Sequence, residues 1–228
     1  MKSLETIIFN YLENYPPSLE LFRRLKQAGN LYLIGGVLRE YRDWEAIRDL
    51  RDIDIIIDIR DRNIWEEILE TYRPKKNSFG GYKLECSALI VDIWSLEETW
   101  AYREKHIVCE PEEYVRNLPR TVFLNLDAII YDFNENVWYD EKYQEAMDSH
   151  VIDVVLEKNP RILLNIVRAM VLKKRYGMSF SDRLGKIIRE QMKLERDFVG
   201  KLLEIQEKRY RGLILSGEEI EKVLEELG

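Results

Sequence analysis

Asp52 and Asp54 lie in the run Arg51-Asp52-Ile53-Asp54-Ile55-Ile56-Ile57-Asp58-Ile59, the segment of this sequence richest in chemical content. As a strand, its period of two puts Ile53, Ile55, Ile57 and Ile59 on one apolar face. Asp52, Asp54, Ile56 and Asp58 take the other. The first two carboxylates then point the same way, about 6.6 Å apart along the strand. They repel unless a cation lies between them. They could share one Mg2+ or bridge a pair about 3.5–4 Å apart, as in phosphoryl and nucleotidyl transfer. Asp58 is a further ~13 Å along and falls outside such a site. A strand with one buried and one solvated acidic face accounts for the same residues with no metal at all.

Two more segments bear on this choice. In Ala88-Leu89-Ile90-Val91-Asp92-Ile93-Trp94, Asp92 is the one charge within an apolar run. A buried carboxylate needs a partner or a metal. An ion pair with an arginine, or a strand near its exposed end, would satisfy it equally. If its strand neighbours that of Asp52 and Asp54, the three complete a carboxylate metal site. In Leu33-Ile34-Gly35-Gly36-Val37-Leu38-Arg39-Glu40, an apolar strand meets a Gly-Gly turn and a helical start. Glycine admits close approach of a phosphate to backbone N–H groups, and a helix N-terminus favours an anion. The segment matches neither the dinucleotide fingerprint nor the phosphate loop of NTPases.

The elements that must position these residues follow from periodicity. Strands are expected at Leu31–Ile34, Asp52–Ile59, Tyr82–Glu85 and Ala88–Leu96, with a weaker one at Val137–Tyr139. Helices are expected at Leu4–Glu13, Leu19–Gln27, Asn63–Thr71 and Glu97–Glu104. After residue 158 the strand signal ends. Asn159-Pro160 reads as a helix start, Gly177 as its end, and Ser179 or Ser181 as the next cap. A long charged helix then runs to about Tyr210, and a short one begins near Ser216. The expected organisation is an α/β head over 1–150 and a helical part over 151–228.

Composition limits the function classes. The 228 residues include 35 Lys and Arg against 42 Asp and Glu, a net charge of -7, which argues against coating nucleic acid by bulk charge. Cys86 and Cys109 are too few for a disulfide framework. No stretch of about 18 apolar residues and no signal peptide is visible, so a soluble cytoplasmic protein without membrane partners is expected. His106 and His150 are isolated and read as ordinary surface residues.

The collinear order of these parts resembles the head of the class II CCA-adding enzymes and bacterial poly(A) polymerases. Gly35-Gly36-Val37-Leu38-Arg39-Glu40 and then Asp52-Ile53-Asp54 match that family's Gly-Gly-x-Val-Arg-Asp and Asp-x-Asp elements. Val91-Asp92-Ile93 resembles its third carboxylate strand, and the segment from Leu124 to Asp132 its Phe-Thr-Ile-Asn-Ala element. Val167-Arg168-Ala169 and Arg175-Tyr176-Gly177-Met178 resemble its neck helix. The likeness covers roughly residues 30–180. It implies an α+β nucleotidyltransferase head with a mixed sheet and an all-helical neck. It also implies that Asp52 and Asp54 hold two Mg2+ ions, with Asp92 completing the catalytic and metal set. Gly35, Gly36, Arg39, Asp127 and Arg168 would line the nucleoside triphosphate. ATP or CTP would be the donor, and an RNA end, a tRNA or a smaller molecule the acceptor.

Departures from the family pattern set the second reading. The Arg-Arg-Asp before the Phe-Thr is missing, and Asp127 stands where an Asn is usual; a shifted alignment would use Arg120 and Asn125 instead. Asn165 and Val171 replace neck arginines. The Glu-Asp-x-x-Arg element for base choice is not visible, and the tRNA-adding members continue into further helical domains. These features argue against a CCA-adding enzyme proper and leave open a catalytically degenerate nucleotide- or partner-binding module. Lys173-Lys174-Arg175 with Arg183, Lys186 and Arg189, and Tyr72-Arg73 with Lys75 and Lys76, could bind an acceptor or be solvated faces. Trp44, Trp94, Trp100 and Trp138 read as core or rim packing.

Overall fold

A computed structural model describes residues 3–47, 52–77, 80–87 and 89–227. Arg51 and Ala88, which belong to the runs singled out above, lie outside the described residues. The chain divides into two compact units, Met1–Thr121 with Asp127–Glu141, and Val122–Leu126 with Lys142–Gly228.

The first unit contains, in chain order, α1 (Leu4–Leu12), α2 (Pro16–Ala28), β1 (Gly29–Ile34), α3 (Gly36–Trp44) and β2 (Asp52–Ile59). These are followed by α4 (Arg62–Tyr72), β3 (Lys75–Lys76), β4 (Tyr82–Cys86), β5 (Leu89–Ser95), α5 (Trp100–Arg103), α6 (Tyr114–Asn117), β6 (Ile130–Asp132) and β7 (Val137–Tyr139). The strands form one mixed sheet in the order β3-β4-β5-β2-β1-β6-β7, with β2 at its centre. Its β2–β5 pair is parallel and the other neighbours are antiparallel.

The apolar face expected of β2 is its buried face. Ile53, Ile55 and Ile57 join Leu31, Leu33, Leu84, Val91 and Ile93 in the core. Helices α1 and α2 cover this face: Phe22 of α2 packs edge-on against Phe133, just beyond β6, at 5.1 Å between ring centroids, and against Phe9 of α1 at 5.8 Å. Ser18 of α2 donates to the carbonyl of Cys86 at 2.7 Å. Asp61 caps α4 by accepting from the amides of Asn63 and Ile64, which fixes how the chain leaves β2. The opposite face of the sheet carries the aspartates.

The second unit contains α7 (Glu141–Ser149), β8 (Val151–Ile152), α8 (Ile162–Tyr176), β9 (Ser179–Phe180), α9 (Asp182–Leu194), α10 (Phe198–Tyr210) and α11 (Gly217–Glu225). Residues 122–125 join it through bonds from the amides of Asn125, Val155 and Leu156 to the carbonyls of Asp153, Phe123 and Val122. The helix expected to run unbroken to Tyr210 is two helices. Glu195 is extended, and Asp197 caps α10 by accepting from the amide of Gly200 at 3.0 Å. Helix α8 starts at Ile162, because Asn159 accepts from the amide of Arg161 in a turn rather than capping a helix. A two-residue strand, β9, pairs in parallel with β8 where only helix was expected. Gly177 closes α8 with φ of 65°, and Ser181 caps α9. No helix among the described residues is long and apolar enough to cross a membrane.

Two outcomes follow. Ile55 is wholly buried directly beneath the aspartate face, so Ile55→Ala should cost about 2–5 kcal/mol in urea unfolding; a loss under 1 kcal/mol would contradict that packing. Tyr32 is raised from 10.0 to about 12, first by burial and then by the carboxylates of Asp132 and Asp58. Its contribution to stability is therefore complete below pH 10 and is lost as pH rises towards 12. Tyr32→Phe should move the alkaline unfolding midpoint upward; an unchanged midpoint would show that Tyr32 does not limit alkaline stability.

Candidate active site

The register of the central strands brings the expected residues to one end of the sheet. β1 closes with Ile34 opposite Asp54, and β5 places Asp92 opposite Asp54 on the other side. Directly opposed residues share a face, so Asp54 and Asp92 stand side by side, about one strand spacing (~4.8 Å) apart. Asp52, opposite Ile90, lies on the same face one pleat earlier and is exposed. Asp58 lies at the far end and pairs with Arg60 at 2.5 Å.

Gly35 joins this group directly after β1. Its φ of 90° excludes ordinary side chains, and an added Cβ would lie 3.0 Å from Oδ2 of Asp54. The turn therefore requires glycine, and the Asp54 carboxylate lies close against it. At Gly36 a Cβ would meet only the guanidinium tip of Arg39 at 3.8 Å, so nothing within the chain demands glycine there. Gly36 and Val37 open α3 and turn their amides out of its N-terminus, an environment favourable to an anion.

β4 contributes a residue that the sequence reading passed over. Lys83 is opposite Asp92 in the antiparallel β4–β5 register, with Nζ 3.0 Å from Oδ2 of Asp92. This answers the question of how a lone aspartate is tolerated: by an ion pair, with a lysine rather than an arginine. It also shapes the carboxylate group. β4 and β2 flank β5 on opposite sides, so Asp92 has Lys83 opposite it on one neighbouring strand and Asp54 on the other. Among the described residues no three acidic, His or Cys side chains converge into a metal-holding cluster. In Tyr82-Lys83-Leu84-Glu85-Cys86 the alternation puts Lys83 on the polar face; only the pairing register identifies what it meets there.

Arg39 and Asp127 form a second ion pair, their side chains 11% and 5% exposed. The guanidinium expected to face a triphosphate is thus matched by the carboxylate that stands in place of an Asn. The alternative residues are occupied elsewhere. Arg120 donates to Asn117 at 2.8 Å, and Asn125, buried in the second unit, donates to the carbonyl of Val151 at 2.9 Å.

Arg168 lies half-buried on α8 of the second unit and is not a residue of the sheet. The basic cluster of that unit is largely answered by its own acids. Lys173 pairs with Glu226, Lys174 with Glu219, Arg183 with Glu157 and Lys186 with Glu190, while Arg189 donates to the carbonyl of Leu227. Lys75 and Lys76 are exposed on the edge strand β3. His106 packs against Trp100, and His150 turns the chain with φ of 53°.

The fold is that of known nucleotide-handling enzymes. A CCA-adding enzyme in complex with CTP matches at 19% identity and a TM-score of 0.62, over 99% of this chain and 55% of that one. A tRNA-processing enzyme in an apo form matches at 17% identity and 0.58, over 91% and 55%. The Thermotoga maritima CCA-adding enzyme complexed with tRNA matches at 16% identity and 0.56, over 92% and 50%. The chain spans about half the length of these structures. Its sequence matches no family model and no curated protein. The seven-stranded mixed sheet followed by helices is therefore the head-and-neck fold of the CCA-adding enzymes.

The buried ion pair yields a stability prediction. Asp127→Ala removes a buried partner of the Arg39 guanidinium and should cost about 3–5 kcal/mol. Asp127→Asn, which keeps a hydrogen-bonding oxygen, should cost less. Chemical denaturation ranks the two, and an Asp127→Ala chain as stable as the parent would deny the pair any structural role.

Proposed function

We propose that this chain is a metal-dependent nucleotidyltransferase that moves a nucleoside monophosphate from ATP or CTP to an acceptor hydroxyl, an RNA 3′ end, and releases pyrophosphate. The head, residues 1–150, carries the chemistry, and the helical part, 151–228, meets the acceptor. The observation that carries this reading is the in-register placement of Asp54 beside Asp92, with Gly35 against the Asp54 carboxylate. The fold shared with enzymes solved with CTP and with tRNA supports it.

The donor set suits Mg2+. Asp52 and Asp54 offer only carboxylate oxygens, both at least partly exposed, as a hard cation prefers. When bound, such an ion supplies positive charge to the phosphoryl group under attack. The amides of Gly36 and Val37 at the start of α3 receive the phosphate chain. Asp92 orients the attacking hydroxyl and accepts its proton, with Lys83 holding the carboxylate in place. Arg39 braces α3 through Asp127. No histidine or cysteine nucleophile is needed, since positioning and electrostatics dominate this chemistry.

A second reading is a degenerate nucleotide- or partner-binding module. Lys83 on Asp92 and Asp127 on Arg39 favour it, since both neutralise charges that catalysis would use. Purified protein with Mg2+, labelled NTP and total RNA separates the two on a denaturing gel. Label should transfer to RNA and fall by on the order of 10³ in Asp54→Ala with the fold intact. Nucleotide binding without label transfer or pyrophosphate release, in parent and variant alike, would establish the module instead.

A further inference from the structure

The cross-strand pairing of Lys83 with Asp92 carries an inference that rests on the nucleotidyltransferase reading and deepens it. Asp54 and Asp92 are directly opposed on parallel strands, a costly placement for two like charges. Lys83 meets Asp92 from the far side of β5 at 3.0 Å. Backbone hydrogen bonding along β4 and β5 holds this register and so keeps Lys83 within reach of the Asp92 carboxylate.

We propose that Lys83 is a positioning residue acting as a built-in counter-cation: it occupies Asp92 in place of a second divalent ion and limits the site to one ion on Asp52 and Asp54. The geometry suits this role. With Oδ2 bonded to Lys83, Asp92 can offer an ion only one oxygen clear of the ammonium. A divalent ion shared between Asp54 and Asp92 would also stand close to the ammonium, and the like charges repel. Both side chains are partly exposed, 38% for Lys83 and 30% for Asp92, so the ammonium is a competitor that substitution can remove without opening the core.

The test counts ions directly, without turnover. Mn2+ is titrated into the full chain, and free Mn2+ is read by electron paramagnetic resonance. The parent should bind one ion, lost in Asp54→Asn. Lys83→Met should bind two, the second about tenfold tighter than any second ion in the parent, and Lys83→Met with Asp92→Asn should return to one. Lys83→Arg, which restores the positive charge, should also bind one. Circular dichroism melts check that each variant folds. Two equivalent ions in the parent, or the same single ion in parent and Lys83→Met, would overturn the role of Lys83 and leave the nucleotidyltransferase reading standing. No ion in any variant would overturn both.

Discussion

The pairing of β2 with β5 is the constraint on which the rest of this head depends. Parallel neighbours in a sheet place opposed residues on one face with no freedom to part. Here the register opposes Asp54 and Asp92. The buried side of the same two strands explains why the register cannot slip. A shift of one residue would turn Ile53, Ile55 and Ile57 to the acidic face and drive aspartates into the core beneath. Hydrophobic burial on one face therefore imposes electrostatic stress on the other.

The chain manages its charges by local compensation. Lys83 answers Asp92, Asp127 answers Arg39, and the acids of the second unit answer its lysines and arginines. Not all of these pairs carry equal energetic weight. Exposed pairs such as Lys186 with Glu190, at 3.9 Å, contribute little beyond solubility. Arg39 with Asp127 is different because both groups are almost wholly removed from water. Its formation is a condition for burying either residue, and it ties the start of α3 to the turn before β6. The site is thereby stiffened at the point where the Gly35 backbone must hold a left-handed conformation beside Asp54.

Much of this was legible in the sequence. The alternation of isoleucine and aspartate specified β2 to the residue, because a central strand packed on one face must show that pattern. The strand-to-helix turn at Gly35 and the three carboxylates were equally visible. The missed features are those fixed by pairing or by competing local bonds. Lys83 sits in an ordinary polar phase of β4, and nothing local distinguishes it from a solvated lysine. Ile130–Asp132 is too short a run to declare itself a strand, although β1 pairs with it. The break between α9 and α10 is set by Asp197, whose side chain caps the next helix more effectively than an unbroken helix could use it. The pairing of β8 with β9 involves two residues on each side, below any periodic signal.

Two ion pairs flank Asp54, and the one at Asp127 is also a departure from the CCA-adding pattern. Replacing a neutral amide by Asp127 removes a net positive charge from the surroundings of Gly36, where a triphosphate would need it. Lys83 adds one beside Asp92, on the opposite flank of Asp54. Arg39 is thus neutralised on the β1 side of Asp54, while an ammonium stands on the β4 side. Under the proposed function, this distribution weakens attraction for a polyphosphate and eases the approach of a negatively charged acceptor to the carboxylates. Strand register and two ion pairs, rather than any change of fold, are sufficient to produce it.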